Sequence, residues 1–290
     1  MAQAMGFFTD TTVCIGCKAC QVACHQWNGL PAELAEQPTA TRPGKALPIT
    51  GNSYDNTGSF SDVNWRHVKF IEQSARTDRS DLRWLMMSDV CKHCVNAPCL
   101  EVCPTGAIMR TEFDSVYIQP SACNGCRACV SACPFGVIHM GGTENIGQGT
   151  AKKCTLCYDR LQNGLQPACA TVCPTASIQF GPIEDLKKQA QQRVADLKAT
   201  GQTRAQLYGA DEHILGGLNS FYLLVDEPET YGLPRHPKLP SRSVRGASLF
   251  SIGSALLLGL AALLSCRRRG EGRPLSWAPS ADAVAGEETE

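Results

Sequence analysis

Sixteen of the seventeen cysteines of this chain fall into four sets of four: Cys14, Cys17, Cys20, Cys24; Cys91, Cys94, Cys99, Cys103; Cys123, Cys126, Cys129, Cys133; and Cys154, Cys157, Cys169, Cys173. Three sets end in Cys-Pro, at Pro104, Pro134 and Pro174. Thiolates are soft anionic ligands, so the chemistry open to such sets is disulfide formation, zinc binding or iron–sulfur ligation. A disulfide framework suits a short secreted domain, whereas this chain has 290 residues and sets too tightly spaced for internal pairing. A four-cysteine zinc site takes two C-x2-C pairs separated by a longer loop. Here the first three sets each crowd four cysteines into eleven to thirteen residues. The first and third have the spacing C-x2-C-x2-C-x3-C at which thiolates hold cubane iron–sulfur clusters. Sixteen thiolates at four per cluster hold four [4Fe–4S] clusters, and clusters in series relay electrons.

In two-cluster ferredoxin modules the fourth cysteine of one set ligates the cluster of the other. The neighbouring second and third sets then form one module, with Cys91, Cys94, Cys99 and Cys133 on one cluster and Cys123, Cys126, Cys129 and Cys103 on the other. By the same crossing Cys14, Cys17 and Cys20 take Cys173, while Cys154, Cys157 and Cys169 take Cys24. The second module is thus assembled from both sides of the first. The expected domains are an outer dicluster module from 1–87 and 146–227, carrying a 28–62 loop, and an inserted dicluster ferredoxin module at 88–145. After them come a proline-rich connector at 228–245, a transmembrane helix at 246–266 and a disordered tail at 267–290. The fold class is α+β: two ferredoxin-like dicluster modules related by an internal repeat, plus one C-terminal transmembrane helix.

These ligands need elements to hold them. After each Cys-Pro comes a turn opening a short strand: Thr105–Ile108, Phe135–Ile138 and Thr175–Ile178. The proline fixes φ and donates no hydrogen bond, so it ends the cluster-facing turn. Ile108-Met109-Arg110 and Val116-Tyr117-Ile118 pair as a hairpin, and Trp65 to Ile71 with Leu82 to Met87 as a second strand pair. Ile183, Leu186, Ala190, Val194 and Leu197 recur at helical spacing with Gly201 beyond, so 183–199 is an amphipathic helix. Gly44, Pro48, Gly51 and Asn52 mark 28–62 as a long polar loop, and Pro228, Pro234, Pro237 and Pro240 a stiff connector.

Hydrophobic residues make up 43% and charged residues 19%, a globular composition. Twenty-seven basic against twenty-seven acidic residues give no field for nucleic acid. Metal–thiolate bonds supply much of the folding free energy of such a protein, so the apoprotein is expected unfolded or molten. From Gly246 to Cys266 run twenty-one residues without a charge, bracketed by Arg245 and by Arg267, Arg268 and Arg269. At ~1.5 Å per residue this spans roughly 30 Å, the thickness of a hydrocarbon core. Gly253, Ser254 and Gly259 permit close packing on another membrane helix. Arg235, Lys238, Arg242 and Arg245 upstream balance Arg267, Arg268, Arg269 and Arg273 downstream, so the charge rule for orientation casts no vote. Met1 to Asp10 holds neither an apolar h-region nor twin arginines. The chain therefore stays in the cytoplasm or leaves it folded, with a partner that bears the export signal.

The chain resembles the iron–sulfur (beta) subunit of membrane-bound formate dehydrogenase over roughly residues 8–266. The resemblance rests on Cys14-Ile15-Gly16-Cys17-Lys18-Ala19-Cys20-Gln21-Val22-Ala23-Cys24 followed by Trp27-Asn28, and on Lys153-Cys154-Thr155-Leu156-Cys157 followed by Asp159-Arg160. It also covers Gln166-Pro167-Ala168-Cys169, Arg193-Val194-Ala195-Asp196-Leu197-Lys198, Gly232-Leu233-Pro234 and the C-terminal span. It implies electron transfer through four clusters, from a molybdopterin-type catalytic (alpha) subunit with molybdenum or tungsten to an integral membrane quinone-reducing (gamma) subunit with haem b. It also implies a place in the cell inner membrane, single-pass in the lipid bilayer, with the cluster domain periplasmic. The 39–62 stretch and the short N-terminus depart from the family's pattern. Four-cluster subunits of dimethyl-sulfoxide or polysulfide reductases, or of a hydrogenase, are the alternatives, and a zinc-rich membrane-tethered interaction protein a remote one.

No catalytic residue is expected, because substrate chemistry lives on the partner. Lys18, Lys92, Arg127, Lys152 and Lys153 sit beside ligands, where they either raise cluster potentials or are solvated cations at the domain surface. His25 and His93 adjoin complete sets and are expected at the surface or behind the ligands. Cys266, left over at the membrane boundary, reads as a small apolar residue.

Overall fold

The computed structural model describes residues 3–31, 54–55, 58–73, 83–142 and 147–270, except the side chains of 242–249, 266 and 268–270. The chain divides into two compact units, Met1–Ser241 and Arg242–Glu290.

The first unit is built on a four-stranded mixed sheet that joins the ends of the cluster region. Strand β1 (Met5–Asp10) lies between β8 (Ile178–Pro182), antiparallel to it, and β10 (Ser220–Leu224), parallel to it; β9 (Gln206–Tyr208) closes the edge beyond β10. In register, Phe7 faces Phe180 on one side and Ser220 on the other. Phe7, Phe8, Phe221, Tyr222, Leu223 and Leu224 are all buried. A strand covered on both faces reads as a continuous apolar run, which is how Phe221 to Leu224 appears in the sequence. Gly6 is required where β1 meets the chain before β10, because a Cβ there would lie 1.9 Å from the Asn219 carbonyl oxygen. This sheet is the part of the fold that sequence reading did not reach.

Helix α6 (Ile183–Ala199) buries Ile183, Leu186, Ala190 and Leu197, follows Pro182, and carries Glu184 and Asp185 in its first turn, where the helix dipole favours them. Arg193 ties it to β1 through an ion pair with Asp10 at 3.0 Å. The expected strand pairs are present: β2 (Arg66–Gln73) with β3 (Arg83–Val90), and β4 (Ile108–Arg110) with β5 (Val116–Ile118), both antiparallel. A third hairpin joins β6 (His139–Gly141) to β7 (Thr150–Lys152).

Of the long 28–62 loop, 32–53 and 56–57 lie outside the described residues, as does the 271–290 part of the expected tail. The loop's end is anchored: the Tyr54 hydroxyl donates to Glu72 at 2.5 Å, and its ring packs on Phe70 and Trp84. The proline-rich segment is not a free linker. Pro228–Tyr231 forms a 3-10 turn, and Tyr231, Leu233 and Leu239 are buried in the core because their apolar side chains gain more from it than from water.

Helix α7 (Pro240–Gly270) contains the uncharged run, and its Phe250, Leu256, Leu257, Leu258 and Leu263 are exposed. Among the described residues no helix is long and apolar enough to cross a membrane. Side chains are described without a break from 250 to 265, sixteen positions, where a span needs ~20. The expected single span at 246–266 therefore has no support from the described structure.

Candidate cluster-binding sites

The first and third sets fold alike. In both, a left-handed glycine follows the first cysteine, Gly16 at φ +67° and Gly125 at φ +70°. A left-handed cation then opens the helix that carries the later cysteines: Lys18 (φ 61°) before α1 (Ala19–Trp27) and Arg127 (φ 63°) before α3 (Ala128–Ala132). Such alternation turns successive N–H groups inward, making a concavity that favours anions. Between them, the second set carries Cys99 on one-turn helix α2 (Pro98–Glu101). The fourth set follows the same plan, with α4 (Tyr158–Gln162) after Cys157 and α5 (Ala168–Thr171) carrying Cys169. His93, Leu156 and Cys157 supply its left-handed positions and those of the second set.

The described structure gathers the cysteines around cavities. One of about 300 Å³ is lined by Cys14, Cys17, Cys20 and Cys173, with Val68, Ser88 and Ile178. A second, about 320 Å³, is lined by Cys91, Cys94, Cys99 and Cys133. A third, about 310 Å³, is lined by Cys103, Cys123, Cys126 and Cys129. In each, three cysteines of one set face the last cysteine of another. The remaining four are neighbours too: burial raises the Cys24 thiol, and Cys154, Cys169 and Cys157 raise it further. Among the described residues, no group of three or more His, Cys, Asp or Glu could hold a single metal ion. Three cysteines of one set with the last of another around each space match the crossed ligation of cubane clusters in a two-cluster ferredoxin module.

The electrostatics fit the same group. Burial pushes the Cys99 and Cys154 thiols up to about 12, and Cys20, Cys129 and Cys157 up to about 11. Neighbouring sulfurs add to the rise, so four thiolates coexist in one cavity only around a cationic core. Donors aimed at sulfur are already in place. The Leu156 N–H donates to Cys154 Sγ at 3.4 Å and the Asn28 amide to Cys24 Sγ at 3.7 Å. At Cys103, burial would raise the thiol, but backbone N–H groups of Ile108, Thr105 and Ala107 and the Thr105 hydroxyl bring it below the ordinary value.

The charges beside the ligands divide by burial. Lys92 and Lys153 are fully enclosed, so of their two readings the solvated cation is excluded. Lys92 pairs with Asp89 and donates to the Val90 carbonyl at 2.8 Å; Lys153 donates to the carbonyls of Val116 and of Cys154, the latter at 3.0 Å. Lys18 remains half-buried, 3.5 Å from Asp55. His93 is buried, its Nδ1 accepting the Val116 N–H at 3.1 Å, whereas His25 faces the Pro31 carbonyl near the surface. Sequence reading passed over Arg66, a fully buried guanidinium inside the β2 pattern.

Two stretches match the family described as "4Fe-4S dicluster domain", residues 13–107 and 82–183. An iron–sulfur subunit of formate dehydrogenase from Haemophilus influenzae is 39% identical over 234 residues, 79% of this chain and 68% of that one. The chain belongs to the formate dehydrogenase iron–sulfur subunit family. A nitrate-inducible formate dehydrogenase iron–sulfur subunit of Escherichia coli is 38% identical, covering 79% of this chain and 72% of its own. One polypeptide of the anaerobic dimethyl sulfoxide reductase of Escherichia coli is 31% identical over 189 residues, 65% of this chain and 78% of its own. As a member of this family with two dicluster domains, the chain carries four [4Fe–4S] clusters.

Proposed function

We propose that the chain is the electron relay of a formate dehydrogenase, with Cys14, Cys17, Cys20 and Cys173 holding the first cluster and Cys24, Cys154, Cys157 and Cys169 the second. Cys91, Cys94, Cys99 and Cys133 hold the third, and Cys103, Cys123, Cys126 and Cys129 the fourth. The modules keep the outer (1–87 with 146–227) and inserted (88–145) arrangement. The observation that carries this reading is the set of three cavities, each lined by four cysteines drawn from two sequence sets. Each bound cluster supplies reversible one-electron storage.

The residues make these centres neighbours in series. A charge on Cys169 raises the Cys20 thiol, one on Cys91 raises Cys154, and one on Cys129 raises Cys99. Those neighbours join first to second, second to third and third to fourth. Burial follows the same order: all four ligands of the second site and all of the third but Cys133 are buried, against Cys20 alone in the first and Cys129 alone in the fourth, with Cys17 exposed. The inner sites are shielded from water and the two ends approach the surface, where electrons enter and leave. Buried thiolates and their N–H donors hold charge without moving a proton, and water is kept from the middle of the path.

At one end the chain takes electrons from a molybdenum or tungsten pterin catalytic subunit; at the other it delivers them to a membrane subunit that reduces quinone. The uncharged run in α7, with arginine on both sides, anchors the chain in the cell membrane with the cluster domain on the periplasmic side. The test is Cys99→Ser in the assembled complex. One cluster is lost and quinone reduction stops, while dye-linked formate oxidation by the catalytic subunit survives. Undiminished quinone-coupled activity would overturn the relay.

A further inference from the structure

Arg66 opens β2 with 1% of its surface exposed, yet no carboxylate pairs with it among the described residues. Its Nη1 donates to the Ser88 hydroxyl at 2.9 Å, and its guanidinium carbon lies 4.9 Å from the centre of the Phe7 ring. Its Nε and Nη2 are buried without a hydrogen-bond partner. Lys92 shows what is missing, since that ammonium is equally buried but sits against Asp89. A guanidinium cannot shed its proton, so an enclosed one needs negative charge nearby.

The negative charge available is sulfur. The groups that interact most strongly with Arg66 are Cys169, then Cys20, then Cys154. Cys20 lines the first cavity, and Cys154 and Cys169 belong to the second set of ligands. Ser88 extends the contact, its Oγ standing 3.1 Å from Cys20 Sγ and 2.9 Å from Arg66. The unpartnered Nε and Nη2 are thus spare donors at the junction of two ligand sets.

We propose that Arg66 is a positioning residue shared by the first and second clusters, a fixed cation with free N–H donors that holds both at raised reduction potential. The inference rests on the reading that the sixteen cysteines hold four clusters. An added electron makes a thiolate-bound centre more negative, so a permanent positive charge and N–H donors toward sulfur favour the reduced form. Because one residue serves two adjacent sites, it raises them together and keeps the step between them small. Ser88 acts on the first site alone, orienting its hydroxyl between Arg66 and Cys20.

The experiment is a spectroscopically monitored redox titration of the assembled complex carrying Arg66→Met, Arg66→Lys or Ser88→Ala, with iron counted in each. In Arg66→Met, two of the four signals fall by at least tenfold in their reduction equilibrium, about 59 mV for one electron, and two stay in place. Arg66→Lys, which keeps the charge and loses the fork of donors, recovers part of both shifts. Ser88→Ala lowers one of the same two signals. Full iron with all four potentials unmoved, or with all four shifted alike, overturns the proposal and leaves the four-cluster reading standing. A parent complex short of iron overturns that reading instead. If Arg66→Met loses iron, Ser88→Ala decides: a single lowered signal supports the proposal and an unchanged set refutes it.

Discussion

The Trp27 indole N–H donates to the Asp159 carboxylate at 2.8 Å, joining two segments 132 residues apart. Arg160 lies over the same ring, 4.2 Å from its centre. The first cysteine set ends on the helix that carries Trp27, and the fourth begins just before Asp159. The pair therefore clamps the segment of the first cysteine set to that of the fourth.

Trp27→Ala should loosen that clamp. Loss of one hydrogen bond and one partly exposed cation–π contact costs about 1–2 kcal/mol, seen as a fall in Tm of about 3–6 °C. Anaerobic thermal unfolding of parent and variant measures it. Trp27→Phe keeps the ring under Arg160 and should lose less; equal losses would point to the indole N–H alone.

The three Cys-Pro turns each place a left-handed residue three positions after the cysteine: Gly106 at φ +67°, Gly136 at φ +61° and Ala176 at φ +51°. Ala176 alone of the three carries a Cβ there. Its strain in this region is about 1–2 kcal/mol, offset by the entropy that glycine gives up on folding. Ala176→Gly should therefore be neutral or stabilising by up to about 1 kcal/mol. The converse, Gly106→Ala, meets nothing within 4 Å of the added Cβ and should destabilise through the backbone alone. Paired Tm measurements check both signs.

His67 gives the folded chain a pH dependence. Burial lowers its pKa, although Asp55, 3.6 Å from Nε2, pulls the other way. The unfolded imidazole binds its proton first as pH falls past ~6.5. The contribution to stability is thus complete above that value and is lost as pH falls toward the lower folded value, by up to about 1.4 kcal/mol per pH unit. Burial lowers His93 in the same sense, so His67→Gln should remove roughly half of the slope of Tm against pH as pH falls below about 6.5. An unchanged slope would assign the effect elsewhere.

The anchor is tested by truncation at the boundary of the first compact unit, Met1–Ser241. Expressed without partners, the full chain should stay with membranes through an alkaline carbonate wash, and a chain ending at Ser241 should be released. Release of both would rule out α7 as an anchor.

That three cysteines of a set gather around one space was open to sequence reading because local spacing governs it: the chain curls within a few residues. The Ile108–Ile118 hairpin and the Ile183–Ala199 helix were legible for the same reason, their periodicity being local. The pairing of Phe7 with Ser220 was not. It closes more than two hundred residues, and Phe221 to Leu224, buried on both faces, shows no alternation that would mark it as a strand. Between the two readings of Lys92 and Lys153 the sequence could not choose, because exposure is the usual state of lysine and only the fold supplies Asp89 and the carbonyls that enclose them. Arg66 was hidden for the same reason, since one charged residue in a strand pattern reads as an outward position.

Iron and acid-labile sulfide, measured on the anaerobically purified chain, test the four-cluster relay most directly. The expected preparation is brown and holds about sixteen iron atoms and about sixteen sulfides per chain. A colourless chain holding about four zinc ions and no sulfide would contradict it.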